Sequence, residues 1–399
     1  MPSFRWWFTS QVLSSSGLFT QNVAAAWLIL QQTGNGLDLA LLTCASFTPV
    51  FLVGPWGGEL VDRFDHRRLL IVTQTSLLLL SATLAALAFT GHAGLTAILL
   101  ISAITGTVNA VDNPARQVYV VDLVGRGLLA SAISLFEVVL NTSRVLGPAI
   151  GGVILTAAGP APCFAVNALS FIAPIIVLLR HRPHSHTTLD RPMRRQRGAV
   201  REGLRYVKSV PEIRACVAIA AASGLIVNGV VFYPMLATDA FHLDGGGYAA
   251  LVAAFGAGAL PGALLAARSK GRPSGRAVVV LAASTTCSMA ITAFAPDLVV
   301  GLVGLVLSGF ASIWYITTAN TLVQLRAAAQ LRGRVMGVWV MALPGANPLT
   351  SVLAAVLAGL AGIRFAYFAA GVVLLAVALT GGRALWPITG RAAQASGAS

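Results

Sequence analysis

Residues 134 to 148 read SLFEVVLNTSRVLGP, in which Ser134, Glu137, Asn141, Arg144 and Pro148 follow at three- and four-residue steps. On a helix that spacing lines them up as one polar stripe. Glu137 and Arg144 stand about 10 Å apart along such an axis. That is too far for an ideal direct pair, but a long side chain or a water narrows the gap. The chemistry on offer is proton exchange, with Glu137 as the protonation site and Arg144 as the counter-charge that competes for it. Asp112 is expected at a similar depth, where two carboxylates in a poor dielectric oppose one another's ionisation. The alternative is a static Glu137–Arg144 ion pair that stabilises packing.

These ionisable groups sit in a chain of 399 residues that is 56% hydrophobic and only 10% charged. Its mean hydropathy is +0.80. Such a composition belongs to a membrane protein. About twelve apolar stretches are long enough to cross a bilayer as helices, near 7–31, 39–61, 69–90, 94–115, 128–157, 161–179, 212–237, 246–267, 276–295, 298–325, 334–361 and 363–386. Ionisable side chains inside such spans are costly and face a cavity or a partner, which makes the stripe a candidate functional site.

The net charge of +14 does not indicate nucleic acid, because the basic residues cluster in short connections between apolar spans. Arg5, Arg63, Arg67, Arg68, Arg116, Arg126, the run from Arg180 to Arg214, Arg268 to Arg276, Arg326 to Arg334, Arg383 and Arg391 fall on alternate sides. The positive-inside rule makes that side the cytoplasm and puts both termini there. The opposite connections, such as QTGNGLD and TDAFHLDGG, contain no Lys or Arg, and Arg364 is the exception. The start, MPSFRWWF, lacks the pattern of a removable signal peptide, so insertion is expected to begin with the first span. Cys44, Cys163, Cys216 and Cys287 lie far apart in apolar segments and read as small buried residues.

A polar, arginine-rich stretch between the sixth and seventh spans divides the chain into residues 1–180, a linker 181–211, residues 212–386, and a tail 387–399. Faint repeats preserve their order across the two halves: NPARQ at 113 and NTLVQ at 320, RG at 126 and 332, GPAIGG at 147 and NPLTSV at 347. The reading is an all-α integral membrane protein of 12 transmembrane helices in two pseudo-symmetric six-helix bundles, an arrangement suited to alternating access. His181, His184 and His186 in the linker could hold a metal, but a solvated loop accounts for them, so no metal or other cofactor is expected. The linker's basic residues could rest against anionic headgroups.

GGELVDRFDHRRLL, between spans two and three, resembles the G-x-x-x-D-R-x-G-R-[RK] loop of the major facilitator superfamily. Gly58, Asp62, Arg63 and Arg67 match, Arg68 follows, and Asp65 and His66 depart from the pattern. Gly58 is expected to allow close helix approach. The resemblance implies a gating latch in which Asp62 faces a helix N-terminus and the loop arginines pair with an acid at the end of span four, for which Asp112 and Asp122 are available. SRVLGPAIGGVI resembles the span-five signature of the superfamily's antiporters at Gly147, Pro148, Gly151 and Gly152, with Ser143 replacing a glycine. That likeness implies a tightly packed, bent helix that prevents leak, and favours export. The wider pattern resembles the branch that contains the enterobactin exporter and related multidrug efflux proteins. Its arginine-bearing fourth-span motif is absent, since no arginine precedes Arg116 in ISAITGTVNAVDNPAR.

Gln11, Ser15 and Asn22 share one face of span one. Asn109 and Asn113 lie on span four, Asn141 on span five, Asn228 on span seven, and Trp314, Thr318 and Asn320 on span ten. The resemblance implies that spans one, four, seven and ten line the substrate cavity. Amides, hydroxyls and aromatics with few charges fit a small amphipathic or apolar organic molecule rather than a phosphate-bearing one. The expected function is a proton-coupled exporter, monomeric, in a bacterial plasma membrane. Its alternatives are a siderophore or natural-product exporter and an uptake or facilitative permease. No catalytic constellation stands within the spans, which argues against an enzyme. A sensor that merely retains the fold is the remaining reading.

Overall fold

The computed structural model describes residues 2–124, 129–180, 199–227, 229–268, 274–328 and 330–385. The histidines of the linker, Asn228, and the side chains of Asp62, Asp122, Glu137 and Asn141 lie outside the described residues. Among the described residues the regular structure is helical. Helices α1 (Pro2–Thr33), α2 (Gly36–Arg63), α3 (His66–Phe89), α4 (Leu95–Val124) and α5 (Leu129–Ala158) are long single rods. The sixth span is α6 (Pro160–Ser170) continued by α7 (Ile172–Arg180), and α8 (Ala199–Ser209) is a short helix within the stretch read as linker. The seventh span combines α9 (Pro211–Val227), α10 (Gly229–Met235) and a π-helical turn, Leu236–Ala240. There follow α11 (Gly245–Arg268), α12 (Gly275–Ala293), α13 (Leu298–Arg326), α14 (Arg332–Ala342) with α15 (Asn347–Ala361), and α16 (Ile363–Leu385). Among the described residues, ten stretches meet the length and hydropathy needed to cross a bilayer. The more polar α1 and the apolar part of α5 complete the 12 spans expected.

Local chemistry sets the turns. Gly34 takes a left-handed φ of +62° to end the first rod, and Asn35 caps the next by accepting from the Leu37 amide at 2.9 Å. Asp65, which departs from the loop pattern, caps α3 by accepting from the Arg68 amide at 2.8 Å. Its carboxylate supplies the acceptor a helix start requires, and this accounts for the missing glycine.

The helices form two compact units. The first comprises Met1–Arg194, Asn228–Gly256 and Asn347–Ile363. Within it α1 packs on α5 and α6, α2 on α4, and α3 on α4 and α6. Trp7, Val61, Leu70, Tyr119 and Leu178 are buried together where α1 begins and α2 ends, with the Trp7 and Tyr119 rings edge-on at 4.9 Å. At the other end, pieces from the second half of the chain join this unit. The Trp27 ring stacks on Tyr248 at 5.7 Å, Met235 lies against Gly36, and α15 packs along α2. These packing units therefore do not coincide with the halves marked by the repeats.

The second unit comprises Arg195–Val227, Ala257–Ala346 and Arg364–Ser399. Helices α12 and α13 pack through the Ser308–Ser288 hydrogen bond of 2.9 Å, and Tyr315 donates to Ser223 to tie α13 to α9 at 2.5 Å. Helix α8 is fastened to this unit. Glu202 pairs with Arg334, the Tyr206 hydroxyl accepts from the Ala328 amide at 3.2 Å, and Glu212 at the start of α9 pairs with Arg326 at 3.0 Å. Cys163 and Cys216 are buried as expected, whereas Cys44 is half-buried and Cys287 exposed. Lipid-facing and core-facing surfaces are both apolar, so a small apolar residue does not reveal which it occupies.

Candidate functional site

Helix α4 runs to Val124, beyond the boundary at residue 115 read from hydropathy. That extension carries Arg116 into the bundle. Read as a cytoplasmic anchor, Arg116 is in fact 9% exposed, and its Nε donates to Oδ2 of Asp112, which is fully buried one turn earlier. The i, i+4 spacing permits this pair on one helix face. Two other helices complete the cluster. From α1, Gln11 Oε1 accepts from Arg116 Nη1 at 2.7 Å; from α3, Thr73 Oγ1 and Gln74 Nε2 both donate to Asp112 Oδ1, at 2.6 and 2.8 Å. Ion pairs out of water survive when such hydrogen bonds offset lost hydration. Beside the guanidinium lies a cavity of about 20 Å³, lined by Ser14, Ser15, Leu18, Asn109, Arg116 and Phe171 among others, room for one water molecule.

In its ionised form the pair is neutral as a whole. A proton taken up by Asp112 would abolish the attraction and leave Arg116 as a buried cation held by Gln11 alone among the contacts above. Burying an uncompensated charge is strongly unfavourable. The charges of Asp112 and Arg116 are thus mutually dependent, and α1, α3 and α4 meet at the pair.

The structure corrects several expectations. Asp112 does not receive the loop arginines: it lies twelve residues before the end of α4, about 18 Å along the axis. Arg63 pairs with Glu59, and Arg67 donates from Nε to the Leu178 carbonyl at 2.5 Å and from Nη2 to that of Leu179 at 3.0 Å. Arg67 thus satisfies carbonyls at the C-terminal end of α7, where the helix dipole favours a cation. Arg68 contributes its amide to the Asp65 cap. Gly58 makes no close approach either; space is open around it, and its neighbour Gly57 is the residue pressed against the Ala110 backbone of α4. Gly57→Val is accordingly expected to destabilise the fold by about 1–3 kcal/mol and Gly58→Val to leave it unchanged, as thermal unfolding in detergent would report.

The span-five motif packs as its small residues require. Cβ atoms added at Gly147 would stand 2.5 Å from Phe19 Cβ and 2.6 Å from the Ser16 carbonyl, and Gly151 lies against Thr20. Thr20 Oγ1 donates to the Gly147 carbonyl at 2.9 Å, and Ser143 Oγ to that of Val12 at 3.2 Å. Gly152 faces Ala249 of α11. Pro148 is buried inside the helix, while Arg144, which the spacing lines up with Glu137 on one stripe, is exposed.

Of the expected cavity residues, Gln11, Ser15 and Asn109 gather around Arg116. Asn22 and Asn113 are exposed; Trp314, Thr318 and Asn320 are half-buried in the second unit, with Trp314 edge-on to Phe310 at 5.3 Å and Asn320 accepting from Gln324 at 2.6 Å. Arg116, Thr73 and Gln74 were missed as site residues. The signal that could have found them is an acid and a base at helical pairing distance in an apolar span, with Thr-Gln in the middle of a neighbouring one.

A family model described as transmembrane secretion effector matches residues 1–398. The chain belongs to that family. It is therefore a membrane transporter of the major facilitator superfamily. The chain is 29% identical over 363 residues to the multidrug efflux pump Tap of Mycolicibacterium fortuitum, covering 88% of each. It is 26% identical over 347 residues to the enterobactin exporter EntS of Shigella flexneri, covering 85% of this chain and 80% of that one. Among solved structures, a bacterial homolog of the human lysosomal transporter Spinster, inward-facing and unoccupied, superposes with a TM-score of 0.76 at 12% identity, covering 96% of this chain and 98% of that one. That likeness shows the shared fold of the superfamily transporter.

Proposed function

We propose that this transporter exports small amphipathic organic molecules across a bacterial plasma membrane in exchange for protons, by alternating access as a monomer. The observation that carries the reading is the buried Asp112–Arg116 pair bridging α1, α3 and α4. It is a titratable group whose charge state bears on how three spans pack, which proton coupling needs. The span-five glycines support exchange without leak, because the backbone contact of α5 with α1 leaves little room for water. Relatives named as an efflux pump and a siderophore exporter support the outward direction. With the basic connections and both termini in the cytoplasm, the Trp27–Tyr248 stack and the α2–α15 contact lie at the outer end. They then act as an outer gate, shut in this state.

The test uses everted membrane vesicles acidified inside, with ethidium as probe. Wild type is expected to concentrate the dye inside, and Asp112→Asn to lose at least tenfold of that gradient-driven accumulation. Undiminished accumulation by Asp112→Asn would refute this coupling site. Glu137→Gln in the same assay tests the fifth-span carboxylate, which we include in the proposal with Arg144 two turns along the same helix as its counter-charge. A second reading, export of a siderophore-like natural product, is favoured by similarity to the staphyloferrin A transporter of Staphylococcus aureus, 27% identical over 176 residues and 44% of each chain. Accumulation of an iron-free siderophore rather than of ethidium would select it.

A further inference from the structure

Among the described residues, two buried amide atoms of the cluster have no hydrogen-bond partner: Gln11 Nε2 and Gln74 Oε1. A buried orphan acceptor costs free energy in the state that leaves it unpaired. Gln74 already donates its amide to the Asp112 carboxylate, and its idle carbonyl is on the same freely rotating group. Thr73 shows the same duality in another form. Its hydroxyl lies 2.6 Å from Asp112 Oδ1 and 3.2 Å from the Leu70 carbonyl, yet it has one proton to give.

We propose that Thr73 and Gln74 are a protonation-state adaptor for Asp112, donors to the carboxylate and acceptors for the carboxylic acid. When Asp112 is ionised, both donate to Oδ1. When Oδ1 carries a proton, it becomes a donor, and one of two acceptors can meet it without main-chain movement. The Thr73 hydroxyl turns its proton to the Leu70 carbonyl and offers a lone pair, or the Gln74 amide flips and presents Oε1. The orphan of one protonation state is the partner of the other. The adaptor deepens the coupling reading above and rests on it.

The surroundings leave this role to uncharged groups. Among the described residues, Asp112 meets Arg116 from its own helix and Thr73 and Gln74 from α3; Gln11 from α1 reaches it through Arg116. The described charges of α2 near its end, Glu59 and Arg63, are exposed and paired with each other; from α5, Arg144 is exposed and the Glu137 side chain is outside the described residues. Hydrogen bonds donated to a carboxylate are roughly twice as strong as those between neutral groups. An apolar replacement at either position removes one such bond from the carboxylate.

The experiment needs no transported substrate. In the wild type reconstituted in lipid, the infrared carbonyl band of protonated carboxyl groups is titrated against pH, and the component that Asp112→Asn removes is assigned to Asp112. Thr73→Val and Gln74→Leu are each expected to move the midpoint of that component to higher pH by about one unit, a tenfold gain in proton affinity of the order set by one charge-assisted hydrogen bond. Thr73→Ser, which keeps the hydroxyl, is expected to restore the wild-type midpoint. A component whose midpoint stays put in both Thr73→Val and Gln74→Leu overturns the adaptor and leaves the coupling reading standing. Absence of any component lost in Asp112→Asn overturns the coupling reading itself, and the adaptor with it. Should Gln74→Leu fail to fold, the Thr73→Val and Thr73→Ser comparison decides alone.

Discussion

Arg116→Met is expected to cost on the order of 3–5 kcal/mol of stability, because it leaves the Asp112 carboxylate buried without its counter-charge. Asp112 has no exposed surface, and Thr73 and Gln74 can supply hydrogen bonds to it but not charge. Methionine fills much of the arginine volume, so the loss reports electrostatics rather than a cavity. Gln11 also loses the donor to its Oε1, adding a second unpaired amide atom. The double variant Asp112→Asn with Arg116→Gln removes both charges and is expected to recover most of the loss, since a neutral hydrogen-bonded pair escapes the desolvation penalty. Thermal unfolding of the wild type, Arg116→Met and the double variant in one detergent measures both the loss and its recovery. Wild-type stability in Arg116→Met would mean that the guanidinium is hydrated in solution.

The second large effect is expected at Gly147→Leu, with transport falling more than tenfold and stability by about 1–3 kcal/mol. Its Cβ would meet a backbone carbonyl, that of Ser16, which cannot swing aside as a side-chain tip can. Helices α1 and α5 would have to separate, and the hydrogen bonds from Thr20 to Gly147 and from Ser143 to Val12 would open with them. Because Gln11 lies on the same helix as Ser16, the displacement also disturbs the grip on Arg116. Ala149→Leu, on an exposed face of the same helix, is the control and is expected to behave as wild type. Dye accumulation in everted vesicles, with protein amount checked by immunoblot, measures the first effect, and thermal unfolding the second. Equal transport by the two variants would sink the argument that α5 works through its contact with α1.

Much of the architecture was legible because the bilayer imposes it. Length and hydropathy mark the spans, and a lipid solvent forces each to be helical, since no water is present to satisfy a broken backbone. The glycines of span five were readable for a similar reason, as small residues at helical spacing announce a close neighbour. Gly58 shows the limit: Gly57 and Gly58 are adjacent, and motif matching picked the one that faces open space. Hydropathy also clipped span four at the first basic residue, because a guanidinium lowers the mean whether it ends a helix in water or is held by a carboxylate inside one.

The sequence by itself determined that this is a helical membrane protein of twelve spans with ionisable groups in its interior and a packed, glycine-lined fifth helix. These follow from the solvent and from helical periodicity, which act on local stretches of chain. Only the tertiary structure decided the partners: Asp112 with Arg116, Gln11, Thr73 and Gln74, and Arg67 with the end of α7. The reason is distance along the chain. Gln11 and Arg116 are 105 residues apart, and a donor at that remove is specified by how helices α1 and α4 pack, which no local pattern records.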